Sequence, residues 1–295
     1  MSTTGPLGSH TRQLGVFGYP IGHSISPAMH NAAFQHQRMN CYYGAYAVEP
    51  GQLRAAVDGI RALGFLGVNV TIPHKEAVME HLDEVANTAL QVGAVNTIVN
   101  RAGRLVGYNT DGWGFISHLE ELGIKTAGLH AVVLGAGGAA RAIALHLAMA
   151  GVRSVSVSNR SAGRAESVCE AISAVQPKLA VRAVEAQSPE ERAALMDAGI
   201  VVNCTPLGMS PGAVNESPVS DINLLPQRAV IYDTVYTPAE TRLIREAKLR
   251  GLRTVSGLGM LVHQGACSWE YWFGRRGPVS VMYSAAKAAL EGQAQ

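Results

Sequence analysis

Four short polar runs carry side chains that can do chemistry on a small molecule. The first is HSISP at 23–27, just before a helical pattern. Ser26 is expected as the N-cap and Pro27 as the first helical residue. Ser24 and Ser26 are two apart, so in extended chain they point to one side. Two hydroxyls at a helix start can hold a carboxylate, or simply cap the helix. The second run, NVTIPHK at 69–75, ends an apolar strand. Asn69 and Thr71 share one face, and Lys75 lies just past the proline. A lysine that loses solvent at a strand end has a lowered pKa and suits proton transfer. A solvated lysine opening a helix is the plainer alternative. AVNT at 94–97 and YNTDG at 108–112 add Asn96 and Asp111. Asp111 either serves the lysine or caps the next helix. This mixture of Ser, Thr, Asn, Asp and Lys suits a substrate rich in hydroxyls.

A fifth run has a different chemistry. GAGGAA at 135–140 sits between an apolar strand and a helix, in the pattern G-x-G-x-x-A. Its glycines let the chain turn and let backbone approach a pyrophosphate, which meets the free N–H groups of the helix start. An NAD-binding chain usually places an acid about 20 residues on, to hold the ribose 2′-hydroxyl. Here that strand ends in Asn159, Arg160 and Ser161, with Arg164 one turn later. Two guanidinium groups and two small polar side chains suit a 2′-phosphate, so NADP is the expected cofactor.

These runs must be positioned by alternating strands and helices. Strands are expected at 13–18, 41–48, 65–70, 129–134, 154–158, 180–184, 200–203 and 229–233. A hairpin over 94–100 and 105–108 should turn at Ala102 and Gly103. Helices are expected at 27–37, 50–63 (apolar at 53, 57, 60 and 63), 111–122, 138–150, 259–273 and 279–291, with others filling the gaps. The alternation predicts an α/β fold with a largely parallel sheet. Residues 205–226, with four prolines, form the longest irregular stretch.

Composition excludes several classes. The 295 residues are 47% hydrophobic and 16% charged, with net charge +2. That is enough apolar material for sizeable cores, and too little clustered basic charge for a nucleic-acid partner. The cysteines at 41, 169, 204 and 267 form no C-x-x-C pair, and the ten histidines no H-E-x-x-H, so no metal is expected. Four lone thiols fit a reducing cytoplasm. No secretory signal and no membrane span are expected; the apolar stretch 129–152 is broken by His130, Arg141 and His146. Residues 1–12 read as a polar lead-in, and GPLGS at 5–9 looks like a tag remnant.

The ordered set of motifs resembles the shikimate dehydrogenase family and its quinate/shikimate relatives. The matching runs are GYPIGHSISP at 18–27, NVTIPHK at 69–75, GAVNT at 93–97 and NTDG at 109–112. They continue with GAGGA at 135–139, NRS at 159–161, NCTPLGM at 203–209 and GLGMLVHQ at 257–264. The resemblance covers about residues 14–273. It implies two α/β domains: a substrate-binding domain from 1–112 plus 240–295, and a Rossmann-type NADP-binding domain from 113–239. It places the active site in the cleft between them. The activity implied is NADP-dependent interconversion of 3-dehydroshikimate and shikimate, a step towards the aromatic amino acids, by a cytoplasmic monomer or homodimer.

By motif, the resemblance makes Lys75 and Asp111 the catalytic pair. It makes Ser24, Ser26, Thr71, Asn96, Tyr236 and Gln264 substrate contacts, with Asn69 close by. Gly135, Ala136, Gly137, Gly138 and Ala139 cradle the pyrophosphate, and Asn159, Arg160, Ser161 and Arg164 clamp the 2′-phosphate. Thr234 and Gly257 face the nicotinamide half, with Thr205 and Met260 beside them. The chain departs from the family's frequent residues at Ser161 (often Thr), Thr234 (often larger and apolar) and Cys204 (often Ala). The rival readings are a quinate-preferring, NAD-using enzyme, an aminoshikimate-type paralogue and a non-catalytic sensor. A methylene-tetrahydrofolate-type dehydrogenase would share the fold but leave Ser24, Ser26 and Gln264 without a role.

Overall fold

The structure, a computed structural model, describes residues 8–293. Residues 1–7, which include most of the tag-like run, lie outside the described residues. The chain divides into two compact units, residues 1–114 with 261–295 and residues 115–260.

In chain order the first unit holds β1 (Arg12–Gly18), α1 (Ser26–His36), β2 (Cys41–Ala47), α2 (Leu53–Ala62), β3 (Gly67–Val70) and β4 (Glu84–Val85). Then come α3 (Asn87–Val92), β5 (Thr97–Arg101), β6 (Arg104–Tyr108) and the start of α4 (Asp111–Glu121). The six strands form one sheet in the order β2-β1-β3-β5-β6-β4. Only β5 runs against the others. Loops leaving β1, β3 and β6 therefore meet the segment entering β5 along one sheet edge, and every polar run of this unit falls there.

Local chemistry explains these elements. In α2, Leu53, Val57 and Ile60 recur at helical spacing and are buried. Leu63, expected on the same face, lies past the helix end and is exposed. A 3-10 turn at Pro50–Gln52 precedes this helix. The hairpin of β5 and β6 turns at Ala102 and Gly103, both at positive φ (53° and 92°), as a tight two-residue connection requires. Strand β4, only two residues long, carries no periodic signal and was not expected.

The second unit continues α4 and adds β7 (His130–Leu134), α5 (Gly138–Met149), β8 (Ser154–Asn159), α6 (Ala162–Val175), β9 (Ala180–Glu185) and α7 (Pro189–Met196). It finishes with β10 (Ile200–Asn203), β11 (Val230–Asp233), α8 (Arg242–Leu249), β12 (Arg253–Ser256) and the first residues of α9 (Leu258–Phe273). Its sheet is wholly parallel, in the order β12-β11-β10-β7-β8-β9. Read as 6-5-4-1-2-3, that is the dinucleotide-binding order, with its reversal between β7 and β10. All five residues of β7 are buried, as expected of a central strand covered on both faces.

One domain boundary differs from expectation. The return to the first unit comes after Met260, not at residue 240. Strand β12 pairs along β11, and Leu243, Ala247 and Leu252 join the core built by Val201 and Ile231. RTVS buries only Val255, so this edge strand has no apolar run to announce it. Helix α9 then leads back to the first unit, where α10 (Val279–Gln293) closes the chain.

Packing in the first unit buries one titratable ring that the site does not use. His30 on α1 is fully buried, and neither ring nitrogen has a hydrogen-bond partner among the described residues. The ring stacks on Tyr43 at 4.3 Å, with Trp269 and Trp272 nearby. Burial lowers its pKa from 6.5 to about 3. The unfolded chain therefore binds a proton that the folded chain refuses between these values. Stability from this group is complete above pH 6.5 and drains away on acidification towards pH 3. His30→Phe should lose less stability than wild type between pH 7 and pH 4.5, read from urea midpoints. Equal losses in both proteins would contradict this assignment.

Candidate active site

At the polar edge of the first unit, Lys75 Nζ lies 2.6 Å from Asp111 Oδ2. Lys75 follows β3 and Asp111 opens α4, so the pair spans two connections of one sheet. Their side chains keep 18% and 7% of their exposure, enough for solvent to reach Lys75 while Asp111 stays enclosed. The loop carrying Lys75 is tied down from both sides. Val95 N–H donates to the Lys75 carbonyl (2.8 Å), and the buried His74 ring meets the Val48 carbonyl at 2.6 Å.

Asp111 does not cap its helix with its carboxylate. Oδ2 faces Lys75, and Oδ1 accepts from Asn96 Nδ2 at 2.9 Å. Its backbone N–H is taken by Asn109 Oδ1 (3.0 Å). Asn96 is itself oriented without ambiguity, because its Oδ1 accepts from the Thr110 backbone N–H at 2.8 Å. Gln264, on α9, brings Oε1 to 3.4 Å from Asn96 Nδ2 and donates Nε2 to the Leu261 carbonyl. A glycine at 114 is needed for this approach: a Cβ there would meet the Gln264 backbone N at 2.7 Å.

One expectation at this edge needs correction, and a second gains detail. Ser26 is not the N-cap: Ile25 holds that position, Ser26 is already helical, and Pro27 is second in the helix. No side chain caps α1 in the usual way, and Ser24 Oγ instead accepts from the Ser26 N–H at 3.4 Å. The amide hydrogens of Asn69 are turned inward. Nδ2 faces the Asn96 carbonyl, Thr97 Oγ1 and Ser268 Oγ at 3.0, 3.1 and 2.9 Å, and Oδ1 accepts from Tyr43 OH at 2.7 Å. Asn69 is thus a brace behind the site.

Thr71 belongs to the same edge, its N–H donating to the Phe17 carbonyl (2.9 Å), so the loop after β3 lies alongside the loop after β1 that carries Ser24. Ser268 and Tyr43 were not expected as parts of the site, and Thr97 and Thr110 lie in the expected polar runs with no role assigned to them. Thr97 and Thr110 adjoin Asn96 and Asp111 in sequence. Ser268 stands one helical turn after Gln264, a spacing that could have revealed it. Tyr43 gave no local signal, since it reaches Asn69 only across the sheet.

The second unit gathers the nucleotide-type residues at the carboxyl ends of β7, β8, β10 and β11. Gly135 has φ +108°, a left-handed geometry, and a Cβ there would crowd the Cys204 carbonyl at 3.1 Å. Gly137 is the N-cap of α5 and supplies no side-chain cap. Its Cβ position faces open space. The first N–H groups of α5 are therefore free of side-chain acceptors, with Ala136, Gly138 and Ala139 around them. Next door, Ser161 is the N-cap of α6, and Asn159 Nδ2 donates to its carbonyl. Arg160 and Arg164 are exposed and make no ion pair among the described residues. An anion-binding turn, free guanidinium groups and no acid at the end of β8 fit NADP.

The rest of this edge is built on a buried network. Thr205 N–H and Oγ1 both donate to Asn203 Oδ1. Asn203 Nδ2 donates to Asp233 Oδ1, and Asp233 Oδ2 accepts from Thr241 Oγ1 at 2.6 Å. Burial raises the Asp233 pKa, opposed by these bonds and by the Val235 N–H. Gly257 packs on the Thr234 carbonyl so tightly that any Cβ would overlap it. Met260 is buried nearby in sequence, and Tyr236 follows β11 in this second unit, its hydroxyl pKa raised by desolvation. Asn203 and Asp233 were not expected as site residues.

A Rossmann-type nucleotide unit joined to a second α/β unit with a Lys–Asp pair defines a two-domain nicotinamide-dependent oxidoreductase. Family signatures agree in detail. The shikimate dehydrogenase substrate-binding domain matches residues 16–98, shikimate/quinate 5-dehydrogenase residues 119–206, and the shikimate 5′-dehydrogenase C-terminal domain residues 257–287. The chain belongs to the shikimate dehydrogenase family. It is 64% identical over 282 residues to the shikimate dehydrogenase (NADP(+)) of Symbiobacterium thermophilum, covering 96% of each chain. It is similar to the Thermus thermophilus shikimate 5-dehydrogenase solved with NADP(H) and shikimate (TM-score 0.85, 39% identity, 95% and 100% covered). It also resembles a Corynebacterium glutamicum quinate dehydrogenase solved with NAD (TM-score 0.85, 32% identity, 94% and 99% covered).

Proposed function

We propose that this chain catalyses the NADP-dependent interconversion of 3-dehydroshikimate and shikimate, with Lys75 and Asp111 as its proton-handling pair. The observation that carries the chemistry is the 2.6 Å contact between those two groups, braced by Asn96. The dinucleotide, when bound, supplies the hydride to the substrate carbonyl carbon or takes it back.

The remaining work falls to this chain's own residues. Ser24 and Ser26 hold the substrate carboxylate at the start of α1, where the helix dipole favours negative charge. Thr71, Asn96 and Gln264 hold the ring hydroxyls, and Tyr236 adds a further contact. During reduction, negative charge develops on the carbonyl oxygen. The Lys75 ammonium stabilises that charge and gives the oxygen its proton, and solvent then restores the lysine. Asp111 keeps the ammonium aimed and balances it. The 2′-phosphate is held by Arg160 and Arg164, with Asn159 and Ser161. The four cysteines are present as thiols, which supports a cytoplasmic setting.

Initial rates test this reading directly. Shikimate and quinate are offered separately, each with NADP and with NAD, and reduction of the dinucleotide is followed. Strong preference for shikimate with NADP is expected. Turnover of quinate with NAD would overturn the substrate and cofactor assignments together. Binding of shikimate without turnover would favour a sensor.

A further inference from the structure

Behind the Lys75–Asp111 pair lies a second polar layer that is almost wholly buried. Tyr43, Thr97, Thr110 and Ser268 are fully buried, and Asn69 and Asn96 nearly so. We infer that Ser268 is a positioning residue for substrate, holding Gln264 and the Asn96–Asp111 side of the site in register through Asn69, whose amide is set by Tyr43. The inference rests on the substrate reading above.

The polarity of this layer follows from groups that can play only one role. The Asn96 carbonyl can only accept, so the Asn69 atom 3.0 Å from it is the amino nitrogen. The opposite Asn69 atom is then the acceptor for Tyr43 O–H. The Gln264 carbonyl likewise can only accept, so Ser268 spends its one proton there (3.0 Å). Ser268 Oγ is left as an acceptor. It takes Asn69 Nδ2 at 2.9 Å and faces Thr97 Oγ1 at 2.8 Å and Thr110 Oγ1 at 3.4 Å. Donation thus runs in one direction, from Tyr43 through Asn69 to Ser268 and into the backbone of Gln264.

Two consequences bear on substrate. Ser268 ties α9 to the ends of β3 and β5 across 199 residues of sequence, and so sets which way Gln264 points. Asn69 also meets the backbone carbonyl of Asn96, the residue that orients Asp111. A buried layer of six polar side chains costs more to desolvate than an apolar filling would, so its value lies in specifying one arrangement. Removing Ser268 Oγ leaves an Asn69 proton with one acceptor fewer and frees α9 to shift by a fraction of an ångström. Such a shift matters for hydroxyl contacts, which need correct distance and angle.

Ser268→Ala and Tyr43→Phe in the full chain test the proposal. Shikimate and NADP affinities are measured separately by titration calorimetry, alongside kcat, KM and thermal midpoint. Ser268→Ala should weaken shikimate about tenfold, the scale of one lost hydrogen bond, and leave NADP affinity unchanged. KM for shikimate should rise by more than kcat falls. Tyr43→Phe should act in the same direction, and the double variant should lose less than the two single losses combined. Ser268→Thr, which keeps the hydroxyl, should regain part of the lost affinity. Unchanged shikimate affinity in both single variants would overturn the proposal. So would equal losses for shikimate and NADP that track a lowered thermal midpoint, the mark of a purely structural role. If wild type itself fails to bind shikimate, the substrate reading fails and the proposal falls with it.

Discussion

Lys75→Ala is expected to lower kcat by about 10²-fold or more, the usual scale of acid–base help from one side chain. KM for shikimate should change much less, because the ammonium acts on charge that develops only in the transition state. The geometry makes the loss hard to repair. Asn96 is the other neighbour of Asp111, its amide already points at Oδ1, and it cannot deliver a proton. A water entering the space left by Lys75 could replace volume but not the held positive charge. Removing the cation also leaves Asp111, 5% exposed, without its counter-charge, so some loss of stability should accompany the kinetic effect. Asp111→Asn separates these contributions. It keeps the shape, removes the negative charge and leaves Lys75 less well aimed, so its kcat should fall while the fold is retained. Steady-state kinetics at fixed NADPH decide the matter. A Lys75→Ala protein within a few-fold of wild-type kcat would remove this residue from the chemistry.

The second large effect concerns the cofactor. Arg160→Ala should weaken NADPH by about 10- to 100-fold, the value of one charge-assisted contact to a phosphate. NADH, which lacks the 2′-phosphate, should be almost unaffected. Arg160 and Arg164 are exposed cations with no internal ion pair among the described residues, so removing either should cost the fold little. Replacing both should bring the two cofactors close to equal. Fluorescence titration with each reduced dinucleotide gives the comparison. Equal weakening of NADPH and NADH by Arg160→Ala would show that the guanidinium acts on something other than the 2′-phosphate.

The candidate groups Lys75 and Asp111, the glycine turn at 135–139 and the arginines after β8 were legible in the residues, because each lies in a short run with its own local grammar, while the pairing of Lys75 with Asp111 came from the family resemblance. A glycine-rich turn between strand and helix, or a lysine just past a strand end, can be read without knowing what packs on it. The hairpin at Ala102 and Gly103 was legible for the same reason. Short edge strands were not. β12 buries one residue of four and exists because β11 offers it an unpaired edge. Its addition moved the domain boundary from residue 240 to Met260.

The division at the site follows the same physics. Sequence alone named candidate groups for binding, clamping and proton transfer, since candidacy depends on side-chain type and on position relative to a turn. It misread Ser26 as a cap because Ile25 takes that position, and a one-residue shift of a helix start depends on how the preceding loop packs. The family resemblance placed Asn69 close to the substrate contacts without saying which way its amide faces. Only tertiary structure decided that this amide turns inward, towards Tyr43 on another strand and Ser268 on a helix 199 residues away. A side chain's hydrogen bonds are chosen among all the partners that folding brings within about 3 Å, and those partners are set by packing rather than by neighbours along the chain.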